Sequence, residues 1–514
     1  FGGGASVALS APVDALYAAA ELNEAAWAAA AAMVEGRPAP DEAAVVSGLR
    51  AAIAKERSPA LLALRESARR HDVTFLSDDE WVSVGSGAGA SAWPAPDLPA
   101  ASAVDWTRVH DVPVALVTGS NGKTTVVRLL AAILEATGRV VGLTSTDGVR
   151  VGDTELVKGD YSGPSGARLL LRHPDVEAAV LETARGGLLR RGLSVERAAV
   201  AIVTNVAEDH LGEFGVQDTA ALADVKLLVV RALRPGGAVV LNADDPLLRE
   251  RAESLAVPVV WFSLEPRGPA MDGHLAAGGR AALLEDGVLV LADGPRRTAL
   301  ARVDEVPSAM GGAARHNVAN ALAALAGAAV LGAPVETIAR VLRRFGRNAG
   351  DNAGRANFSD LGGVQLVIDY AHNPHGMAAL ARMVAAMPAR RRLVLIGQAG
   401  DRSDDAIREL ARSALAIRPD RVVLKDMEEY RRGRAPGEVP RIMAEELVRH
   451  GMPVEAVSQP GSEIDAVRDA LTWAEAGDVL LLTVHQDRDL VLELLARLRA
   501  AGWRAGQPLP VESS

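Results

Sequence analysis

The sequence predicts an α/β protein in three parts: an N-terminal helical and mixed region, a central domain on a mainly parallel sheet, and a C-terminal Rossmann-like α/β domain. Two alternating stretches and one junction predict it. Between Val112 and about Phe345, short apolar runs alternate with helical patterns, and a second such stretch follows the Gly- and Asn-rich residues 346–354. Within the first, an apolar run breaks into a glycine turn that opens a helix, as at the strand ends of open α/β sheets. At 514 residues there is room for about three domains of roughly 150 residues each.

The elements follow in chain order. Residues 13–70 read as Ala-rich helices, and Val73 to Leu76 and Trp81 to Val84 as short apolar runs. Residues 85–103 are rich in Gly, Ala, Ser and Pro, which predicts a linker closing an N-terminal part at 1–103. In the central part, 104–347, strands are expected at Val114 to Val117, Val140 to Leu143, Ala178 to Leu181, Ala199 to Val203 and Ala238 to Leu241. A helix fits Val126 to Leu134, and the short runs and Gly turns of 268–310 fit a small β excursion. Val318 to Val335 is apolar but Ala- and Gly-rich, which suits a buried helix better than a membrane span. The C-terminal part, 348–514, takes strands at Val364 to Ile368, Arg392 to Ile396, Arg421 to Leu424 and Val479 to Thr483. No internal repeat is visible.

Composition narrows the function. A net charge of −10 with scattered acidic and basic residues argues against a nucleic-acid partner. The chain has no cysteine, which excludes disulfides, thiol catalysis and Cys-ligated zinc and suits a cytoplasmic enzyme. No signal peptide is evident and no membrane association is expected. Of 55 basic residues only five are lysine: Lys55, Lys123, Lys158, Lys226 and Lys425. A lysine kept in an arginine background points to a need for a compact ammonium or a neutral amine. This singles out Lys123 and Lys226, and less firmly Lys158; for Lys55 and Lys425 chance survival is the preferred reading.

The glycine turn is Gly119-Ser-Asn-Gly-Lys-Thr-Thr125. Gly119 and Gly122 free the backbone to turn its N–H groups inward around Ser120 and Asn121, Lys123 reaches terminal phosphates, Thr124 ligates magnesium, and Thr125 opens the helix. Further on, Leu181-Glu-Thr-Ala-Arg-Gly-Gly187 puts Glu182 at a strand end, where it could hold a metal, and Arg185 where it could approach an anion, a helix cap being the plainer alternative. Val203-Thr-Asn-Val-Ala-Glu-Asp-His-Leu-Gly212 sets His210 beside Glu208 and Asp209, a grouping that favours magnesium or manganese. Lys226 sits in an apolar helical pattern. It either pairs with an anion, takes up carbon dioxide as a carbamate, or snorkels from the helix flank.

In order along the chain, these motifs resemble those of the Mur ligase superfamily, whose loop is Gly-Thr-Asn-Gly-Lys-Thr-Thr. The likeness is strongest to the Mur-type half of cyanophycin synthetases. It is carried also by Gly159-Asp-Tyr-Ser-Gly-Pro164, Asn242-Ala-Asp-Asp-Pro246, Arg315-His-Asn-Val-Ala-Asn320, Asp369-Tyr-Ala-His-Asn-Pro374 and Gly400-Asp-Arg402, and covers about residues 110–500. The resemblance implies a ligase that phosphorylates a substrate carboxylate with ATP and lets an amine attack the acyl phosphate. It implies ATP and Mg2+ as cofactors, with Lys123, Glu182, His210 and Lys226 catalytic and Thr124, Glu182 and His210 holding metal. Lys226 matches a position often carbamylated. Asn317, Asn320, Arg355 and Asp369 then join the loop 119–125 at the nucleotide, and Ser162, Arg185, His372, Asn373, Asp401 and Arg402 fall on the substrate side. The charged stretch Glu428 to Arg434 either adds to the amine pocket or forms a solvated face.

The residues before the loop are too few, and lack the glycine-rich pattern, for the ATP-grasp domain of cyanophycin synthetases. The expectation is therefore a Mur-type half-reaction on an acidic peptide and an amino acid, with a separate ATP-grasp ligase as partner, and a homo-oligomer is compatible. Alternatives are a peptidoglycan-precursor ligase using a UDP-linked substrate and a non-catalytic ATP-binding scaffold, for which the Ala-rich helices of 13–57 would be a docking surface.

Overall fold

The computed structural model describes residues 9–510 apart from Ser194, His210 and Arg267. Its contacts divide into two units, one running to Val112 with Leu171–Val176 added, the other comprising Pro113–Leu170 and everything from Glu177 onward.

In the first unit the helices Leu16–Val34, Glu42–Glu56 and Pro59–Arg70 precede a three-stranded antiparallel sheet of β1 (Phe75–Ser77), β2 (Trp81–Val84) and β3 (Ser91–Pro94). The second and third helices start where Asp41 and Ser58 accept hydrogen bonds from the backbone N–H groups of Ala43 and Leu61. The linker expected at 85–103 is not one, since β3 lies within it. Its glycines serve close packing instead of flexibility. A Cβ on Gly87 would come 2.2 Å from the carbonyl oxygen of Val176, and one on Gly89 would come 2.3 Å from that of His110.

The second unit holds two sheets. Through its described residues the larger has eleven strands: β4 (Val114–Thr118), β5 (Val141–Ser145), β6 (Gly148–Val151), β7 (Thr154–Lys158), β8 (Ala178–Glu182), β9 (Ala198–Val203), β10 (Leu233–Asn242), β11 (Val259–Ser263), β12 (Arg280–Glu285), β13 (Val288–Asp293) and β14 (Arg296–Arg302). Their order is β14-β13-β12-β11-β10-β9-β4-β8-β5-β6-β7, parallel from β12 to β5 and antiparallel at both ends. The β excursion expected at 268–310 is thus an antiparallel extension of the main sheet. The smaller sheet is β15 (Asn357–Leu361), β16 (Val364–Asp369), β17 (Arg392–Ile396), β18 (Arg421–Lys425), β19 (Val457–Gly461) and β20 (Val479–Thr483), ordered β15-β16-β20-β17-β18-β19 with only the β15–β16 pair antiparallel.

Burial explains the apolar runs: β4, β5, β8 and β9 are buried at every residue, as strands covered on both faces must be. The Ala- and Gly-rich segment is the buried helix Arg315–Val330, packed against the helix Lys123–Glu135 and the sheet. Its small side chains are required there, because a Cβ on Gly327 would lie 2.6 Å from Cδ1 of Ile202. Among the described residues no helix is long and apolar enough to cross a membrane.

Candidate active site

β4 ends at Thr118 and the helix Lys123–Glu135 begins after only four intervening residues, so the loop Gly119–Gly122 must turn within one step. Gly119 (φ +145°) and Gly122 (φ +86°) supply the turn. They also let neighbours close in: a Cβ would meet Thr204 Oγ1 at 1.8 Å from Gly119 and Asn320 Oδ1 at 2.1 Å from Gly122. The loop is pinned from β9's end. Ser120 Oγ donates to the Ala207 carbonyl at 2.9 Å, Asn121 N donates to Asn205 Oδ1 at 3.0 Å, and Thr204 Oγ1 donates to the Asn121 carbonyl at 2.6 Å. Lys123 Nζ curls back to the carbonyl oxygens of Gly119 and Ser120, at 3.1 and 3.2 Å. Loop N–H groups, the ammonium and the helix N-terminus together give a concentrated positive potential suited to phosphate.

A cavity of about 540 Å³ opens over this loop. Its walls bring together Ser120 to Thr125, Glu182, Asn317, Asn320, Arg355, Asp369 and His372, although these lie far apart in sequence. Glu182, at the end of β8, is 2% exposed and accepts a 2.8 Å bond from Thr124 Oγ1. Burial raises its pKa, against the pull of Lys123 and Arg355, and its Oε1 is buried without a hydrogen-bond partner among the described residues. A hydroxyl beside a carboxylate with a spare oxygen is a hard-oxygen pair that fits Mg2+. His210 lies outside the described residues. Among the described residues no group of three His, Asp or Glu forms a metal cluster.

Arg355 reaches the same point from the C-terminal part. Its Nη2 donates to Thr146 Oγ1 at 3.1 Å and Thr124 Oγ1 at 3.4 Å, and its guanidinium lies 4.4 Å from the Tyr370 ring centroid. Asp369, at the end of β16, accepts from Ala356 N at 2.7 Å; burial raises its pKa while Arg355 opposes. Asn317 Nδ2 donates to the Ser308 carbonyl, and Asn320 Nδ2 donates to Asn317 Oδ1. Beside them burial, with Arg382 and His375, lowers the His316 pKa to about 4, so this end of the cavity offers a neutral imidazole. Asn373 caps the helix Pro374–Ala385 with its oxygen and donates its amide to Asn121 Oδ1 at 3.0 Å, tying the C-terminal part to the loop.

The remaining expected residues stand outside the cavity wall. Lys226 does not snorkel: it is 2% exposed, and burial, aided by Lys123 and Arg185 and resisted by Asp209, lowers its pKa to about 7. Arg185 Nη2 and Arg402 Nη1 converge on Glu213, at 2.6 and 3.3 Å from its two oxygens. Asp401 is 3.8 Å from Arg402, and Ser162 Oγ donates to Asp160 at 2.5 Å. Glu428 to Arg434 does not line this cavity, and Glu428, Glu429, Arg432 and Gly433 are exposed, as a solvated stretch would be. Arg434 donates to the carbonyls of Gly400 and Arg402 and pairs with Asp404 and Glu438, which holds the Arg402 loop in place.

One group is absent from the sequence reading and another is misjudged in it. Asp147, in the turn between β5 and β6, pairs with Arg128 at 2.6 Å and with Arg488, while Arg128 also donates to the Ala353 carbonyl at 2.9 Å. The Thr146-Asp-Gly148 turn after an apolar run was the available signal. Lys425, taken as a chance survivor, is buried and paired with Glu463, whereas Lys158, ranked above it, is 71% exposed and 3.4 Å from Asp489.

The Mur ligase middle domain matches residues 117–328, and the Mur ligase glutamate ligase domain matches 354–484. The chain is 38% identical over 358 residues to the cyanophycin synthetase of Synechocystis sp., covering 70% of this chain and 40% of that protein. It therefore spans about two-fifths of that relative's length. It is 29% identical to the UDP-N-acetylmuramyl-tripeptide synthetase of Leifsonia xyli, covering 71% of this chain and 69% of that one. Among solved structures, E. coli FolC in complex with DHPP and ADP shares the fold, with a TM-score of 0.55 and 21% identity over 76% of this chain and 89% of that one. By both its matched domains and its relatives, the chain belongs to the Mur ligase family of ATP-dependent ligases that form C–N bonds.

Proposed function

We propose that this chain is an ATP- and magnesium-dependent carboxylate–amine ligase that joins an amino acid, arginine by its likeness to cyanophycin synthetases, to an acidic peptide. The observation that carries the reading is the meeting of Lys123, Thr124, Glu182 and Arg355 in one cavity at the ends of β4 and β8.

In this reading the acceptor carboxylate attacks the terminal phosphorus of ATP, the bond to the bridging oxygen breaks, and ADP leaves an acyl phosphate. The amine then attacks the acyl carbon, its nitrogen gives up a proton, and the C–O bond to phosphate breaks. Lys123, Arg355 and the loop N–H groups hold the negative charge that develops on the transferring phosphoryl group. Thr124 and Glu182 would hold Mg2+, which neutralises phosphate charge when bound. Asn317 and Asn320 take the base end of the nucleotide, and Asp369 and His372 line the same cavity. Arg185 and Arg402, now on Glu213, supply two guanidinium groups for a substrate carboxylate. Lys226, with its pKa near 7, has the neutral amine that carbamate formation needs: Nζ bonds to the carbon of CO2, a proton leaves, and a cation becomes an anion.

The test is isotopic. With 18O in the acceptor carboxylate, one label should pass to inorganic phosphate for each amide formed; label kept wholly in the peptide would exclude the acyl phosphate.

A further inference from the structure

The buried lysine of the C-terminal sheet has a job that the proposed chemistry does not yet use. Lys425, at the end of β18, is 1% exposed, and its ammonium has three acceptors: Glu463 Oε2, the Thr483 carbonyl at 2.5 Å and His485 Nδ1 at 2.7 Å. Three donors on a tetrahedral nitrogen match three acceptors, which a planar guanidinium cannot do. The stem is equally confined, since a Cβ on Gly397 would lie 2.6 Å from Lys425 Cγ. Because Nδ1 of His485 accepts from the ammonium, its proton sits on Nε2, which donates to the carbonyl of Ala371 at 3.1 Å. Glu463 completes the enclosure by accepting from the backbone N–H groups of His485 and Asp487 at 2.8 Å each.

The far side of this cluster is the cavity wall. The His485 ring meets the Tyr370 ring edge-on, with centroids 4.8 Å apart, and Tyr370 carries the Arg355 guanidinium on its face. Tyr370 and Ala371 both line the cavity.

We propose that Lys425, Glu463 and His485 are positioning residues that hold Tyr370 and Ala371, and through Tyr370 the guanidinium of Arg355, at the nucleotide cavity. The proposal rests on the reading of that cavity as the ATP site. The ammonium fixes the tautomer and orientation of His485, the ring fixes its neighbours, and the cost of burying the charges is met by complete hydrogen bonding.

The test is a double-mutant cycle on MgATP affinity, measured by calorimetry, with folding checked by thermal melting. Lys425→Met/Glu463→Gln removes both buried charges together, so neither is left unpaired. It should weaken MgATP binding about tenfold in the native background, the scale of outer-shell effects. In an Arg355→Met background the loss should be clearly smaller, because one of the groups it positions is gone. His485→Gln, which alters no buried charge but gives up the ring against Tyr370, goes through the same cycle and should show the same dependence on Arg355. It keeps the test alive if the double variant does not fold. Unchanged affinity, or equal loss in both backgrounds, would overturn the network. Failure of the unaltered protein to bind MgATP would instead overturn the cavity reading, and the network with it.

Discussion

At the scale of single residues, three lysines have environments that arginine cannot fill. Lys123 lies over the loop carbonyls. Lys123→Ala should reduce turnover by about 10²- to 10³-fold, the usual effect of deleting one preorganised donor to developing charge; near-normal turnover in a steady-state assay would remove it from the chemistry. Lys226 has a pKa of about 7, so its neutral fraction grows as pH rises through that value. At a fixed CO2 concentration, activation by CO2 should therefore be weak below pH 7 and strong above it, and Lys226→Arg should abolish both activation and activity. Activity indifferent to CO2 and preserved in Lys226→Arg would count against the carbamate. Lysine scarcity made Lys123 and Lys226 legible in the sequence but misranked Lys158 and Lys425, since scarcity says that a compact ammonium is needed and not where its partners are. The partners of Lys425, at Glu463, Thr483 and His485, lie 38 to 60 positions away in sequence and are joined only by the sheet.

At the scale of elements, the loop and the β5–β6 turn carry the load. Gly122→Ala would drive a methyl group into Asn320 Oδ1 at φ +86°, and should cost about 1–3 kcal/mol in melting experiments along with nucleotide affinity. Asp147 fastens the turn to Arg128 and Arg488. Burial works to raise its pKa, but Arg128, Arg355 and Arg488 outweigh it and leave it lowered. Its stabilisation is thus complete above the ordinary aspartate value of 3.8 and is lost as pH falls through the depressed folded value. Asp147→Ala should destabilise the fold by about 3 kcal/mol, because it strands buried cations, and should do so at pH 7 but not at the acid end of that titration. The strands read from sequence were those buried along their length, such as β8 and β9. Most of the missed ones, including β7 with its largely exposed Thr154–Lys158, are edge or hairpin strands whose polarity hides the pattern; β11 is the exception, an inner strand parallel to both β10 and β12. Residues 85–103 misled for a related reason: glycine marks flexibility and close approach alike.

At the scale of the molecule, the cavity needs both matched domains: Lys123, Thr124 and Glu182 come from one, and Arg355, Asp369 and His372 from the other. Ordered motifs made much of this assembly legible in the sequence, because the loop 119–125, Glu182, Thr204 and Asp369 sit at strand ends and the ends of parallel strands share one edge, whereas Asn317 and Asn320 come from the start of the helix Arg315–Val330. The meeting of Arg185 and Arg402 at Glu213, to which the proposed function assigns the substrate carboxylate, was less legible, since no spacing encodes it. The most direct measurement is phosphate release from MgATP by the purified protein, across the twenty amino acids paired with β-aspartyl peptides, acidic dipeptides and uridine-linked muramoyl peptides. Release is expected only when an acidic acceptor and one amine are both present, with arginine on a β-aspartyl peptide as the productive pair. Release that needs neither, or silence across the whole matrix while MgATP still binds, would contradict it.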